Sequence, residues 1–190
     1  NKLNKPLAFD TGGVTSIEGM FELATAFNQL LTFDTQSVKK MTNTFKDAIL
    51  FNHPLEWDTG GVWKLINTLK QALSFNQPLA WDTSSVRHFD NMLHSAIAFN
   101  QPLAFDLGSV TVTSAMSSMF FNTPSLSDCN KRLIEDSLSA STAWPYDWSI
   151  FACPSPPSSP PSPPAPPSSP APPSLPPVPR GSPASDRPLT

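Results

Sequence analysis

Five carboxylates, Asp10, Asp34, Asp58, Asp82 and Asp106, fall at a fixed interval of 24 residues. If the chain stacks at that interval, they line up about 5 Å apart, a mutually repelling row that invites an oxygen-ligated cation. A local use competes with this. In "DTSSV" each Asp can accept the backbone N–H groups of its own turn, beside the positive end of a following helix. No second acid recurs beside the row to complete an oxygen shell, which favours the turn role and predicts no metal site.

The other reactive residue types are sparse. His88 and His94 stand six apart with Asp90 between them, a poor spacing for one helix face, and His53 lies in a different repeat. No serine has a nucleophile-elbow context and no glycine loop suits a phosphate. No catalytic residue and no cofactor are therefore expected, and the chain reads as a non-enzyme. Cys129 and Cys153 are too few for zinc. In an oxidising compartment they would close a loop worth about 3 kcal/mol; in a reducing cell they would be two separate thiols.

The elements that position these residues follow from repetition. The acids belong to a phrase written five times: "NKPLAFDT", "FNQLLTFDT", "FNHPLEWDT", "FNQPLAWDT" and "FNQPLAFDL". Its asparagine falls at Asn4, Asn28, Asn52, Asn76 and Asn100. A fixed period of this size marks a stacked repeat architecture. Within one copy, Leu79 and Trp81 alternate with Ala80 and Asp82, which predicts a short strand with one apolar face. Val86, Phe89, Met92, Leu93, Ala96 and Phe99 then recur at helical spacing, and Ser85 suits an N-cap. The reading is α/β: one strand (near 7–9, 31–33, 55–57, 79–81 and 103–105) and one helix per repeat. The strands would pair parallel and the helices lie outside, a short α/β solenoid. The asparagine would sit where helix turns into strand, satisfying backbone groups of its own and the adjacent repeat.

The columns of "FNQPLAWDTSSV", followed by "M…A…FNQPL", resemble the BspA-type surface-protein repeat over residues 1 to about 126. The resemblance implies a right-handed, leucine-rich-repeat-like solenoid and a surface or extracellular setting. Departures are Leu30 in place of the proline, Leu65 and Leu69 in the third repeat, and about three extra residues, "TVT", in the fifth.

Three regions are expected: the repeats over 1–126, a cap over 127–153 with "CNKRLIEDSL" as its helix, and a polyproline tail over 154–190 that holds 17 of the 23 prolines. Trp144, Tyr146 and Trp148 should pack on the last repeat. The absence of an initiator Met reads as a fragment lacking an N-terminal part. Net charge is −3 with no basic run, which argues against nucleic acid. No stretch reaches the roughly 20 apolar residues of a membrane span. The expected function is a surface or extracellular module binding a protein or glycan. A structural spacer, or a non-catalytic region of a larger enzyme, is the alternative. Trp63 and Ile66, three apart on the outer face of the third helix, are the candidate contacts for a partner or a second copy. The strand positions Ala8, Thr32, Glu56, Ala80 and Ala104 would form a flat inner floor.

Overall fold

The computed structural model describes residues 4–5, 7, 9–111 and 113–153, all within one compact unit, Asn1–Pro154. The expected polyproline tail (154–190) and Ala8 lie outside the described residues. Each repeat folds without the expected strand and helix. Among the described residues there is one α-helix, α1 (Asp128–Leu138), one short 3-10 turn (Thr113–Met116) and no named strand. Three isolated parallel bridges, Ser16 to Lys40, Lys40 to Lys64 and Lys64 to His88, join successive repeats. The α/β solenoid of strand–helix units is thereby overturned.

The backbone of residues 17–27 gives the reason on the helix side. Gly19 and Leu23 have positive φ, and a pair four apart recurs as Asn43/Asp47, Asn67/Gln71, Asn91/Ser95 and Ser118/Asn122. A right-handed helix cannot run through left-handed residues. Consecutive turns form instead: Met20 N–H donates to Ile17 C=O, Glu22 to Gly19 and Ala24 to Phe21. The left-handed residue stands third in its turn, where a type II turn requires φ > 0 and favours Gly or Asn. The intervening N–H groups donate to the next repeat. Ile17, Gly19, Phe21 and Leu23 bond the carbonyls of Lys40, Thr42, Thr44 and Lys46 at 2.9 to 3.2 Å, and Met41, Asn43, Phe45 and Asp47 continue to Lys64, Ile66, Thr68 and Lys70. Donors thus alternate between a local turn and the neighbouring repeat. The apolar stripe survives as the inward row of these turns: Val38, Met41, Phe45, Ala48 and Phe51 are all buried.

On the expected strand side, alternation holds but the ladder does not. Leu55 and Trp57 are buried while Glu56 is exposed. The rings set a wide interval there. Phe27, Phe51, Phe75 and Phe99 stack at 6.0, 6.1 and 6.4 Å, and Phe33 stacks on Trp57 at 6.3 Å. Paired strands need about 4.8 Å. Side chains bridge the gap instead. Asn4, Asn28, Asn52 and Asn76 each accept, through Oδ1, the backbone N–H of the asparagine one repeat on, at 2.8 to 3.0 Å. Thr35, Thr59 and Thr83 donate their hydroxyls to the carbonyls of Asp58, Asp82 and Asp106. The Trp81 indole N–H reaches Leu55 C=O at 3.0 Å.

The stack ends in α1. Ser127 caps it by accepting the Asn130 N–H, and Asn130 in turn donates Nδ2–H to Asn100 O and Oδ1, closing the asparagine row. Ile134 and Leu138 are buried beneath the helix. Phe120 of the last repeat meets the rings of Trp144, Tyr146 and Trp148 at 6.3, 5.7 and 5.1 Å. The buried Glu135 accepts the Trp144 indole N–H at 2.7 Å and the Trp148 N–H at 3.2 Å, so this acid ties the aromatic group to α1. Burial pushes the Tyr146 phenol above its ordinary pKa.

Two substitutions check this backbone. Asn52→Ala removes the acceptor for Asn76 N–H and for Gln77 Nε2–H, and should cost about 2 kcal/mol by denaturant melt; Asn52→Asp, which keeps an acceptor, should cost less. Gln71 is exposed with φ 57°. Gln71→Gly should stabilise the chain by about 1 kcal/mol by relieving the left-handed strain. In a helix the same change would destabilise by a similar amount.

Candidate binding face

The acid row is built from turns. Oδ1 of Asp10, Asp34, Asp58, Asp82 and Asp106 accepts the N–H two residues on, from Gly12, Gln36, Gly60, Ser84 and Gly108, at 2.7 to 3.2 Å. The Ser84 N–H, and then its hydroxyl, hold the Asp82 carboxyl below its usual range. All five acids are exposed. A Cβ at Gly60 would sit 3.1 Å from Asp82 Oδ2, so the glycine leaves room for the acid of the next repeat. Among the described residues, no group of three or more His, Cys, Asp and Glu is placed to hold a metal ion.

The histidines lie apart, each in its own packing. His53 tilts against Phe51, and His88 faces Asp90 at 3.7 Å. His94 stacks on Phe121 at 4.9 Å. Partial burial, and secondarily the Lys70 charge, depress its pKa. Cys129 and Cys153 are joined as a disulfide that ties the start of α1 to the end of the cap.

Trp63 and Ile66 do not form the expected exposed pair. The expectation rested on helical adjacency, and the turns remove the helix. Both side chains are half-buried. Trp63 lies in the row Thr15–Lys39–Trp63–Arg87, tied by Trp63 N–H to Lys39 C=O at 3.0 Å and Arg87 N–H to Trp63 C=O at 3.1 Å. The Lys64 and Lys40 ammonium groups stand 4.7 and 5.9 Å from its ring centroid.

The floor is not flat. Thr32, Glu56, Ala80 and Ala104 are exposed, but the wide interval between repeats opens hollows between the proline ridges. One, of about 520 Å³, is lined by Pro54, Glu56, Trp57, Gln77, Pro78 and Ala80. Its neighbour, of about 400 Å³, shares Pro54, Glu56 and Trp57 and extends to Leu30, Thr32 and Phe33. Together they make a groove across three repeats. It is mainly apolar, with one carboxylate, Glu56, in its middle and one carboxamide, Gln77, at its side. Leu30, in the place that prolines hold elsewhere, is largely exposed at its edge. Reasoning from sequence missed the groove. The proline column, Pro54 and Pro78 with Leu30 in its place, was its signal.

The family described as "Mycoplasma protein of unknown function, DUF285" matches this chain over residues 1–103 and again over 56–137. No curated protein and no solved structure matches it.

The disulfide carries a prediction of its own. Cys153→Ser, or reduction, should lower stability by about 3 kcal/mol, seen as an earlier melt of the tryptophan fluorescence of the cap. An unchanged melt would mean that the Glu135 contacts hold the cap alone.

Proposed function

The chain belongs to the DUF285 family, whose function is unknown, and from that premise we propose that it is a non-catalytic binding module for a protein partner, acting at a cell surface or in the extracellular space. The groove over the second to fourth repeats carries this reading. Concave, mostly apolar sites with a few placed polar groups are where ligands bind, and here Glu56 and Gln77 supply the polar groups. The groove is open along the stack, so an extended segment fits it better than a compact small molecule. The disulfide supports the location, because such bonds persist in oxidising compartments. The resemblance to BspA-type surface repeats points the same way.

A structural spacer is the competing reading, and it needs no groove. Ala80→Trp separates the two. Ala80 is exposed and lines the larger hollow, so the indole fills the groove at little cost to stability. With the chain displayed on beads and offered surface-protein extracts, the wild type should retain a defined partner that A80W loses at least tenfold. Equal retention by both, or by neither, would contradict the groove reading and favour the spacer.

A further inference from the structure

A second face of the stack carries an unbalanced charge. Lys39, Trp63 and Arg87 succeed one another in one row, and Lys40, Lys64 and His88 in the adjoining row, which the parallel bridges define. Rows of this kind advance about 4.8 Å per repeat. Lys39 and Arg87 flank Trp63 in its own row, and the Lys40 and Lys64 ammonium groups stand 5.9 and 4.7 Å from its half-exposed ring, so four formal cations occupy adjoining rows. None of the four has an ion pair among the described residues, whereas Lys46, Lys131 and Arg132 all do. The acids at the two ends of these rows are engaged elsewhere: Asp90 faces His88, and Glu18 accepts the Ser16 hydroxyl. Unpaired cations concentrated in this way, on a chain of net charge −3, make a local field of opposite sign to the whole.

We propose that this face, Lys39, Lys40, Trp63, Lys64 and Arg87, binds a linear acidic polysaccharide, with the cations on its carboxylate or sulfate groups and the Trp63 ring against a sugar face. The proposal deepens the binding-module reading and rests on it, but uses a different face. The width of the ligand follows from charge. The exposed acids Asp34, Asp58, Asp82 and Asp106 run along the same repeats a few residues away, so a broad polyanion such as duplex nucleic acid or an anionic membrane would meet them too. A narrow chain laid along the stack meets only the cations. Single-stranded nucleic acid is narrow, but its binding surfaces stack successive bases on several aromatic rings, and this face has one. Amphipathic Trp63, flanked by Lys40 and Lys64, suits a ligand with an apolar C–H face and charge at its edges.

The test is retention of the full chain on immobilised polygalacturonate (carboxylate) and heparin (sulfate), with dextran as the neutral control and polyglutamate and oligothymidylate as non-sugar polyanions. The wild type should bind at least one acidic polysaccharide, in a salt-dependent manner, and dextran not at all. Lys40→Glu/Lys64→Glu should weaken binding at least about tenfold with an unchanged melting temperature, and Trp63→Ala should weaken it at physiological salt. Lys64→Gln serves if the double variant does not fold, and Lys131→Glu, off this face, should bind as the wild type does. The proposal is overturned if neither polysaccharide is retained, if the charge variants bind as well as the wild type, or if polyglutamate and oligothymidylate bind equally well and Trp63→Ala changes nothing. A chain that holds no polysaccharide yet loses its protein partner on Ala80→Trp overturns this inference and leaves the binding-module reading standing.

Discussion

Two different intervals have to coexist in one stack. Backbone groups that bond directly between repeats bring the chain to about 4.8 Å per repeat. The rows of Phe27, Phe51, Phe75 and Phe99, and of Phe33 and Trp57, recur at 6.0 to 6.4 Å. On the turn side the backbone wins: Phe21 and Phe45 close to 5.1 Å, and four N–H groups per repeat bond the next. On the other side the rings win, and the direct backbone bonds between repeats thin to one beside each ring, from Leu50, Ser74 and Ala98 to Thr25, Ile49 and Leu73. Polar side chains then span the difference. An Asn carboxamide or a Thr hydroxyl is long enough to reach the next repeat and supplies the partner that a covered backbone group requires. The asparagine and threonine columns are therefore a consequence of packing large rings, and so is the open groove above them.

Much of this was legible in the sequence, and the part that was not has a specific cause. The 24-residue period, the buried apolar columns and the cap helix follow from spacing alone. The asparagine row was readable as a device linking neighbouring repeats, because a carboxamide recurring at every turn can satisfy backbone groups of its own and the adjacent repeat. The turns themselves were masked by an ambiguity. Apolar residues three and four apart describe a helix face, but a run of four-residue turns places its inward residues at the same spacing. The distinguishing signal was present as a column, Gly19, Asn43, Asn67 and Asn91, lying at the 24-residue period within the supposed helix. Those residue types enter the left-handed region most easily. Leu23 and Gln71 do the same with no such preference, held there by the four inter-repeat bonds. The depth of the groove and the clustering of Lys40 and Lys64 on Trp63 depend on the distance between repeats, which no single repeat encodes.

The two candidate surfaces differ in kind because they lie on opposite regimes of the stack. Where side chains bridge a wide interval, hollows open between Pro54 and Pro78, and the surface is apolar. Where the backbone is closely laddered, outward side chains are forced into tight rows, and like charges such as Lys40 and Lys64 become neighbours. The chain accommodates that repulsion with an intervening aromatic ring and with His88 and Asp90 at the edge. Both surfaces are repeated features that a small number of substitutions has specialised, with Trp63 and Leu30 the clearest departures from their columns.

The central claim is that side-chain carboxamides, and not a strand or helix ladder, join the repeats on the ring side. Scalar coupling across hydrogen bonds, measured by NMR on labelled protein, reports the acceptor of each amide directly. The account predicts that the backbone nitrogens of Asn52, Asn76 and Asn100 couple to the side-chain Cγ of Asn28, Asn52 and Asn76, and that Met41, Asn43, Phe45 and Asp47 couple to backbone carbonyls one repeat on. Couplings from consecutive amides of residues 41–48 to carbonyls four residues earlier would reveal a helix and contradict it.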